Sequence, residues 1–191
     1  MVIARTGWSG ELSYELYLQD RKKGDELFEI VHEAAKEFNG AVIAPNTIRT
    51  IEGGLLSYQS DFGREHNPFT IGLDRLVDLD QDIDFIGKEA LKRIKSEGIS
   101  EKLVGVEIDG DPIQKVPENF WPVFDENHKK IGRLSRCFFS PRLKKNIGLA
   151  IIDINFVEPG TPLVIESPKA HLNAQVHELP WFPAEKSTNL D

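Results

Sequence analysis

Arg5-Thr6-Gly7-Trp8-Ser9-Gly10-Glu11-Leu12-Ser13-Tyr14-Glu15 stands almost at the head of the chain. It reads as a tight loop running into a strand. Gly7 and Gly10 permit the φ > 0 angles that such a loop needs. Leu12, Tyr14, Leu16 and Leu18 then recur with a period of two. Polar loops that carry an aromatic and a carboxylate usually serve a site built on a larger scaffold. Almost nothing precedes this one. The stretch therefore predicts a ligand-binding element and a chain whose N-terminal half lies elsewhere.

Outward from this loop, residues 24–38 predict an amphipathic helix. Leu27, Phe28, Val31, Ala34, Ala35 and Phe38 fall at helical spacing, and Asp25 and Glu26 suit the first turn. Residues 41–44 predict a short apolar strand. Asn46 is placed to cap a helix carrying Ile48, Ile51 and Glu52, which Gly53-Gly54 ends. Residues 55–84 predict loops and short elements, and a further helix spans about 87–96, closed by Gly98. Beyond residue 100 the period shortens. Apolar runs at 103–108, 120–124, 130–138, 146–152, 162–166 and 171–177 alternate with Gly, Pro, Asn and Asp. Strands at such spacing predict a small antiparallel barrel or sandwich. The division falls near Gly98, and residues 184–191 predict a mobile polar tail.

Composition excludes several classes. With 40% hydrophobic and 28% charged residues, the chain is an ordinary globular sequence. A formal charge of −8 argues against nucleic acid as partner, because phosphate binding needs a basic face. No apolar run approaches the roughly 20 residues that span a bilayer, so no membrane segment is expected. No signal peptide is visible. Cys137 is the single cysteine, which rules out an internal disulfide and fits a reducing, cytoplasmic setting. Its neighbour Arg136 could activate the thiol, or the thiol could be buried and inert. His32, His66, His128, His171 and His177 lack zinc-ligand spacing and read as surface histidines, so no metal site is expected. No phosphate loop or nucleophile elbow occurs. The basic run Arg142-Leu143-Lys144-Lys145-Asn146 reads as a solvated turn, or as a contact for an acidic tail.

The opening stretch resembles a block found in the middle of the glycine-cleavage T-protein family, the folate-dependent aminomethyltransferases. Three further blocks agree in order. They are Ile48-Arg49-Thr50-Ile51-Glu52-Gly53-Gly54 with Tyr58, Asp61 and Asn67-Pro68 behind it; Asp84-Phe85-Ile86-Gly87-Lys88-Glu89-Ala90-Leu91; and Phe139-Ser140-Pro141-Arg142 through Ala150. The resemblance covers nearly the whole chain. The variant spelling around Trp8-Ser9 and Leu12-Ser13-Tyr14 looks closest to methyl-transferring demethylases, including dimethylsulfoniopropionate demethylases.

The resemblance implies an α+β fold. Residues 1–98 would be the later part of a folate-binding domain, an antiparallel sheet with helices, and residues 99–183 a small antiparallel β-barrel. It implies tetrahydrofolate as cofactor. Glu15 matches the carboxylate that holds the pterin ring, whose N3–H and 2-amino group suit a bidentate acceptor. Trp8 occupies the aromatic position, as a stacking face or as a core plug. Tyr58 matches a family tyrosine or is a core residue, and Glu11 is expected to organise the loop by accepting backbone N–H bonds. Two departures bear on the substrate. Asn46 stands where the aminomethyltransferases place an Arg, and Arg75 where many carry a Trp.

The function implied is a tetrahydrofolate-dependent one-carbon transferase taking its unit from a small molecule or a lipoyl carrier. The family's catalytic Asp lies in the half ahead of this chain, to be supplied by a longer form of the chain or by a separate one, and the isolated chain is expected to be inactive. One alternative is a demethylase acting on a sulfonium or an aryl methyl ether. The other is a non-catalytic folate-binding scaffold, whose short Cys-containing signature is absent here.

Overall fold

The computed structural model describes residues 1–44 and 46–182; the tail expected at 184–191 lies outside the described residues. The fold is α+β, and its centre is a closed antiparallel barrel of six strands. These are β3 (Glu101–Ile108), β4 (Trp121–Phe124), β5 (Lys130–Ser140), β6 (Lys145–Asp153), β7 (Pro162–Glu166) and β8 (His171–His177), ordered β3-β6-β5-β4-β7-β8. Closure removes the free edges that an open sheet would leave. All six predicted strands are present, and the barrel replaces the sandwich alternative.

Inside the barrel, Val104, Val106, Ile108, Leu134, Ala150, Ile152 and Val176 form one buried cluster with Cys137. Burial pushes the Cys137 thiol up to about 12, so the inert reading holds and the activated one does not. A second cluster lies on the outer wall. There Leu103, Ile147, Leu149 and Ile151 pack with Ile51 of the short helix α2 (Thr47–Glu52). The barrel and the preceding segment therefore share a core.

A buried ion pair reinforces that junction. Asp61, fully buried, accepts from Arg136 Nε at 2.8 Å and Nη2 at 2.6 Å, from Ser135 Oγ at 2.7 Å and from the Ser57 amide at 2.7 Å. Arg136 also donates to Thr50 Oγ1 and to the Leu55 carbonyl, both at 2.9 Å. The strand geometry makes this reachable. The β5–β6 register shifts between Leu134 and Arg136. Leu134 and Cys137 both join the inner cluster, and the bulge between them turns two successive side chains, Ser135 and Arg136, outward.

Ahead of the barrel the elements are sparser. Strand β1 (Val2–Ala4) pairs antiparallel with β2 (Glu15–Tyr17) as a two-stranded ribbon. Helix α1 (Gly24–Lys36) and helix α3 (Lys88–Glu97) follow at the predicted places, and Gly98 closes α3. Two expectations fail. Leu12 and Tyr14 belong to the loop, so the strand through Leu18 shrinks to Glu15–Tyr17. Residues 41–44 form no strand; Val42 and Ile43 are exposed, and no neighbouring strand among the described residues is present to pair with them. Apolar alternation, or a short apolar run, makes a strand only where a partner completes its ladder. α1 has no buried residue, and most exposed large hydrophobic side chains fall within residues 1–43.

Candidate functional site

The loop between β1 and β2 is the element on which the site is built. It crosses from Ala4 to Glu15, which are paired in the ribbon. Gly10, at φ +76°, brings the loop against Gly53 at the end of α2, where an added Cβ would lie 3.7 Å from the Gly53 Cα. The loop backbone forms one wall of an open cleft of about 1230 Å³, which the 53–56 and 71–75 segments and the start of β3 also line. That exceeds the roughly 300–1,000 Å³ of ordinary small-molecule sites. Arg5, Arg75 and Lys102 face it with Asp74, Glu158 and Glu178, so its rim carries both signs of charge.

Glu15 is exposed. Its Oε2 accepts from Thr6 Oγ1, across the loop, and from Tyr17 Oη at 3.1 Å; Oε1 carries no hydrogen bond among the described residues. The hydrogen bond to Glu15, and then its charge, raise the Tyr17 phenol above its ordinary value. Trp8 is 58% exposed, so it plugs no core in this chain. Tyr58 is half exposed and meets Phe62 edge-to-face at 5.7 Å. Asn46 caps α2, its Oδ1 accepting from the Ile48 amide at 2.9 Å. Arg75 lies in a short 3-10 turn, Asp74–Leu76, on the cleft rim. Of the five residues singled out, only Arg75 lines the cleft; Trp8 and Glu15 flank it on the loop, and Asn46 and Tyr58 stand apart from it.

Other residues depart from their sequence reading. The His66 side chain is 4% exposed, with Nδ1 accepting from the Gly63 amide at 3.0 Å, so it is no surface histidine. The Glu11 carboxylate takes no backbone N–H; it faces Arg49 and Arg142 at 3.3 and 3.7 Å. Arg142 also lies over the Phe182 ring at 3.9 Å. The Arg142–Asn146 run is thus only partly solvated, and buried Asn146 bonds the backbone of residues 108–113. Glu29, His32 and Glu33 cluster on the exposed side of α1; nothing else there points to a cation. The Ser135 and Arg136 partners of Asp61 and the Ser140 partner of Glu52 could not be found from the sequence, because each of these contacts spans more than 70 residues.

Comparison with known proteins adds to this geometry. Residues 101–183 match the family described as the glycine cleavage T-protein C-terminal barrel domain, and residues 1–81 match the GCVT N-terminal domain. The chain is similar to an aminomethyltransferase of Geobacillus sp., 36% identical over 97% of this chain and 50% of that protein. It is also similar to the dimethylsulfoniopropionate demethylase DmdA of Ruegeria pomeroyi, 28% identical over 95% of this chain and 48% of that protein. Among solved structures, the glycine cleavage system aminomethyltransferase T of Bartonella henselae superposes with a TM-score of 0.83 at 21% identity, over 95% of this chain and 50% of that one. The chain spans about half the length of the curated relatives it matches.

Proposed function

Because the chain belongs to the glycine-cleavage T-protein family, we propose that it forms part of a tetrahydrofolate-dependent one-carbon transferase. Residues 1–98 are the later part of the folate-binding domain, and residues 99–183 its C-terminal barrel domain. The observation that carries this reading is the β1–β2 loop. It walls the cleft, keeps Trp8 uncovered and ends at a carboxylate with one oxygen unshared.

These residues fit a pterin. Glu15 supplies an acceptor fork for adjacent N–H donors. Trp8 supplies an aromatic face. When bound, tetrahydrofolate supplies the nucleophilic nitrogen that accepts the one-carbon unit. The work of these residues is orientation, which supplies much of the barrier reduction in a two-substrate transfer. The tie from Thr6 to Glu15 Oε2 fixes the carboxylate relative to the loop.

The donor of the aminomethyltransferase reading is a lipoyl-carried aminomethyl group. A second donor class is a sulfonium, the kind of substrate in the name of the similar dimethylsulfoniopropionate demethylase DmdA.

Calorimetric titration with tetrahydrofolate tests the reading. Binding is expected to the native chain, and Glu15→Gln is expected to weaken it by about 1.5–3 kcal/mol, roughly 10- to 150-fold. Absent binding, or an unchanged Kd in Glu15→Gln, would overturn it. Formation of methyl- or methylene-tetrahydrofolate with a sulfonium or with an aminomethylated lipoyl carrier, in a full-length relative carrying Asn46 and Arg75, distinguishes the donors.

A further inference from the structure

We propose that Glu11 is a positioning residue, holding the β1–β2 loop at the cleft through a charge clasp with Arg49, Arg142 and the buried Glu52. The proposal rests on the reading of that loop as the ligand-binding element.

Glu52 sits at the end of α2 with its side chain 3% exposed. Its Oε1 accepts from Ser140 Oγ at 2.6 Å, whereas buried Oε2 has no hydrogen-bond partner among the described residues. A buried carboxylate is tolerated only beside compensating charge. Arg49 Nη1 and Arg142 Nη1 each stand 3.6 Å from that oxygen. One arginine comes from α2 and the other from the β5–β6 turn. Two guanidiniums around one carboxylate leave a surplus positive charge, and Glu11 supplies the fourth member. Its Oε1 lies 3.3 Å from Arg49 Nη1 and 3.7 Å from Arg142 Nη1. A small cavity of about 120 Å³ opens among these four side chains.

Glu11 is the member that the loop contributes. Among the described residues the ribbon pairs only with itself. Among the described residues, every other polar bond of residues 1–19 stays within that segment, and the bonds of Glu11 alone reach α2 and the barrel. The clasp therefore fixes where Thr6 and Trp8 stand relative to the cleft. It adds little to overall stability, because Glu11 is half exposed and such pairs are weak in water.

That contrast makes the proposal testable on the chain labelled with 5-fluorotryptophan. The three tryptophans give three ¹⁹F resonances, and Trp8 is identified by its loss in Trp8→Phe. In Glu11→Gln, the Trp8 resonance should shift and sharpen while those of Trp121 and Trp181 and the urea midpoint stay in place. Salt should move the native Trp8 resonance toward its position in Glu11→Gln. The Kd for tetrahydrofolate should rise about two- to fivefold in Glu11→Gln, the range of an exposed ion pair. An unmoved Trp8 resonance overturns the clasp, whatever the folate result. Equal movement of all three resonances with a lowered midpoint also overturns it, by making Glu11 a stabilising residue only. A shifted Trp8 in a chain that binds no tetrahydrofolate sustains the clasp and overturns the functional reading.

Discussion

Replacing Asp61 by Asn should damage this chain more than any surface substitution. Asp61 is wholly buried and takes four hydrogen bonds, two of them from the Arg136 guanidinium. The carboxamide of the variant would present one oxygen and one NH₂ to four donors, so the NH₂ would confront N–H or O–H groups head on. The guanidinium would remain buried with no counter-charge. Breaking a buried pair from one side costs about 3–5 kcal/mol, which at about 2–4 °C per kcal/mol for a chain of this size lowers Tm by roughly 6–20 °C. Asp61→Asn, Arg136→Met and the double variant, each unfolded in urea, form a cycle. The double variant removes both charges and should cost less than the sum of the singles by at least about 2 kcal/mol. An Asp61→Asn chain within about 1 kcal/mol of the native one, or strictly additive singles, would refute the argument that this pair joins the 50–61 segment to the barrel.

Three further outcomes are expected. Burial alone would raise the Glu107 carboxyl, but its bonds to Lys145 and Gln175 and the charges of Lys145 and His177 hold it below its unfolded value of 4.5. Its contribution is therefore fully present above that value and lost as pH falls through the folded pKa. The urea-midpoint gap between the native chain and Glu107→Gln should close over that acid window, and a gap that is constant with pH refutes the assignment. Cys137 should resist a thiol reagent at about pH 8 until the chain unfolds, since burial raises its pKa to about 12; rapid labelling of the folded chain would contradict this. Limited proteolysis should cut residues 1–44 before the barrel, because α1 buries nothing, and barrel fragments appearing first would count against the packing.

Legibility followed the range of the interaction. The barrel strands were readable because apolar runs and turn residues are local signals, and Gly98 closed α3 as expected. The α2 cap was readable because Asn46 and the amide of Ile48 are two residues apart. The strand at 41–44 was misread because a short apolar run does not supply the neighbour that a strand needs. Tyr58, Trp8 and Glu15 carried a motif, yet only the three-dimensional arrangement shows Trp8 uncovered and Glu15 tied to Thr6. Glu52 and Asp61 lay inside recognised blocks, but their partners Ser140 and Arg136 are 88 and 75 residues away. The bulge at Ser135 has no sequence mark, since Leu134 and Cys137 are ordinary apolar residues.

The coverage of both faces of β6 changes what specifies its alignment. Asn146 through Ile152 are all buried, Ile147, Leu149 and Ile151 on the outer wall and Ala150 and Ile152 on the inner. In a half-exposed strand, a slip by one residue carries apolar groups into water. Here a slip exchanges one apolar row for another, and hydrophobicity barely resists it. Excluded volume does. A Cβ at Gly148 would lie 2.7 Å from the Arg136 carbonyl oxygen, and one at Gly132 would lie 2.2 Å from that of Ile151. The wall is thus keyed by places where no side chain fits. Apolar substitutions that conserve volume should be tolerated at Ile147 or Ile151 far better than a single methyl group at Gly132.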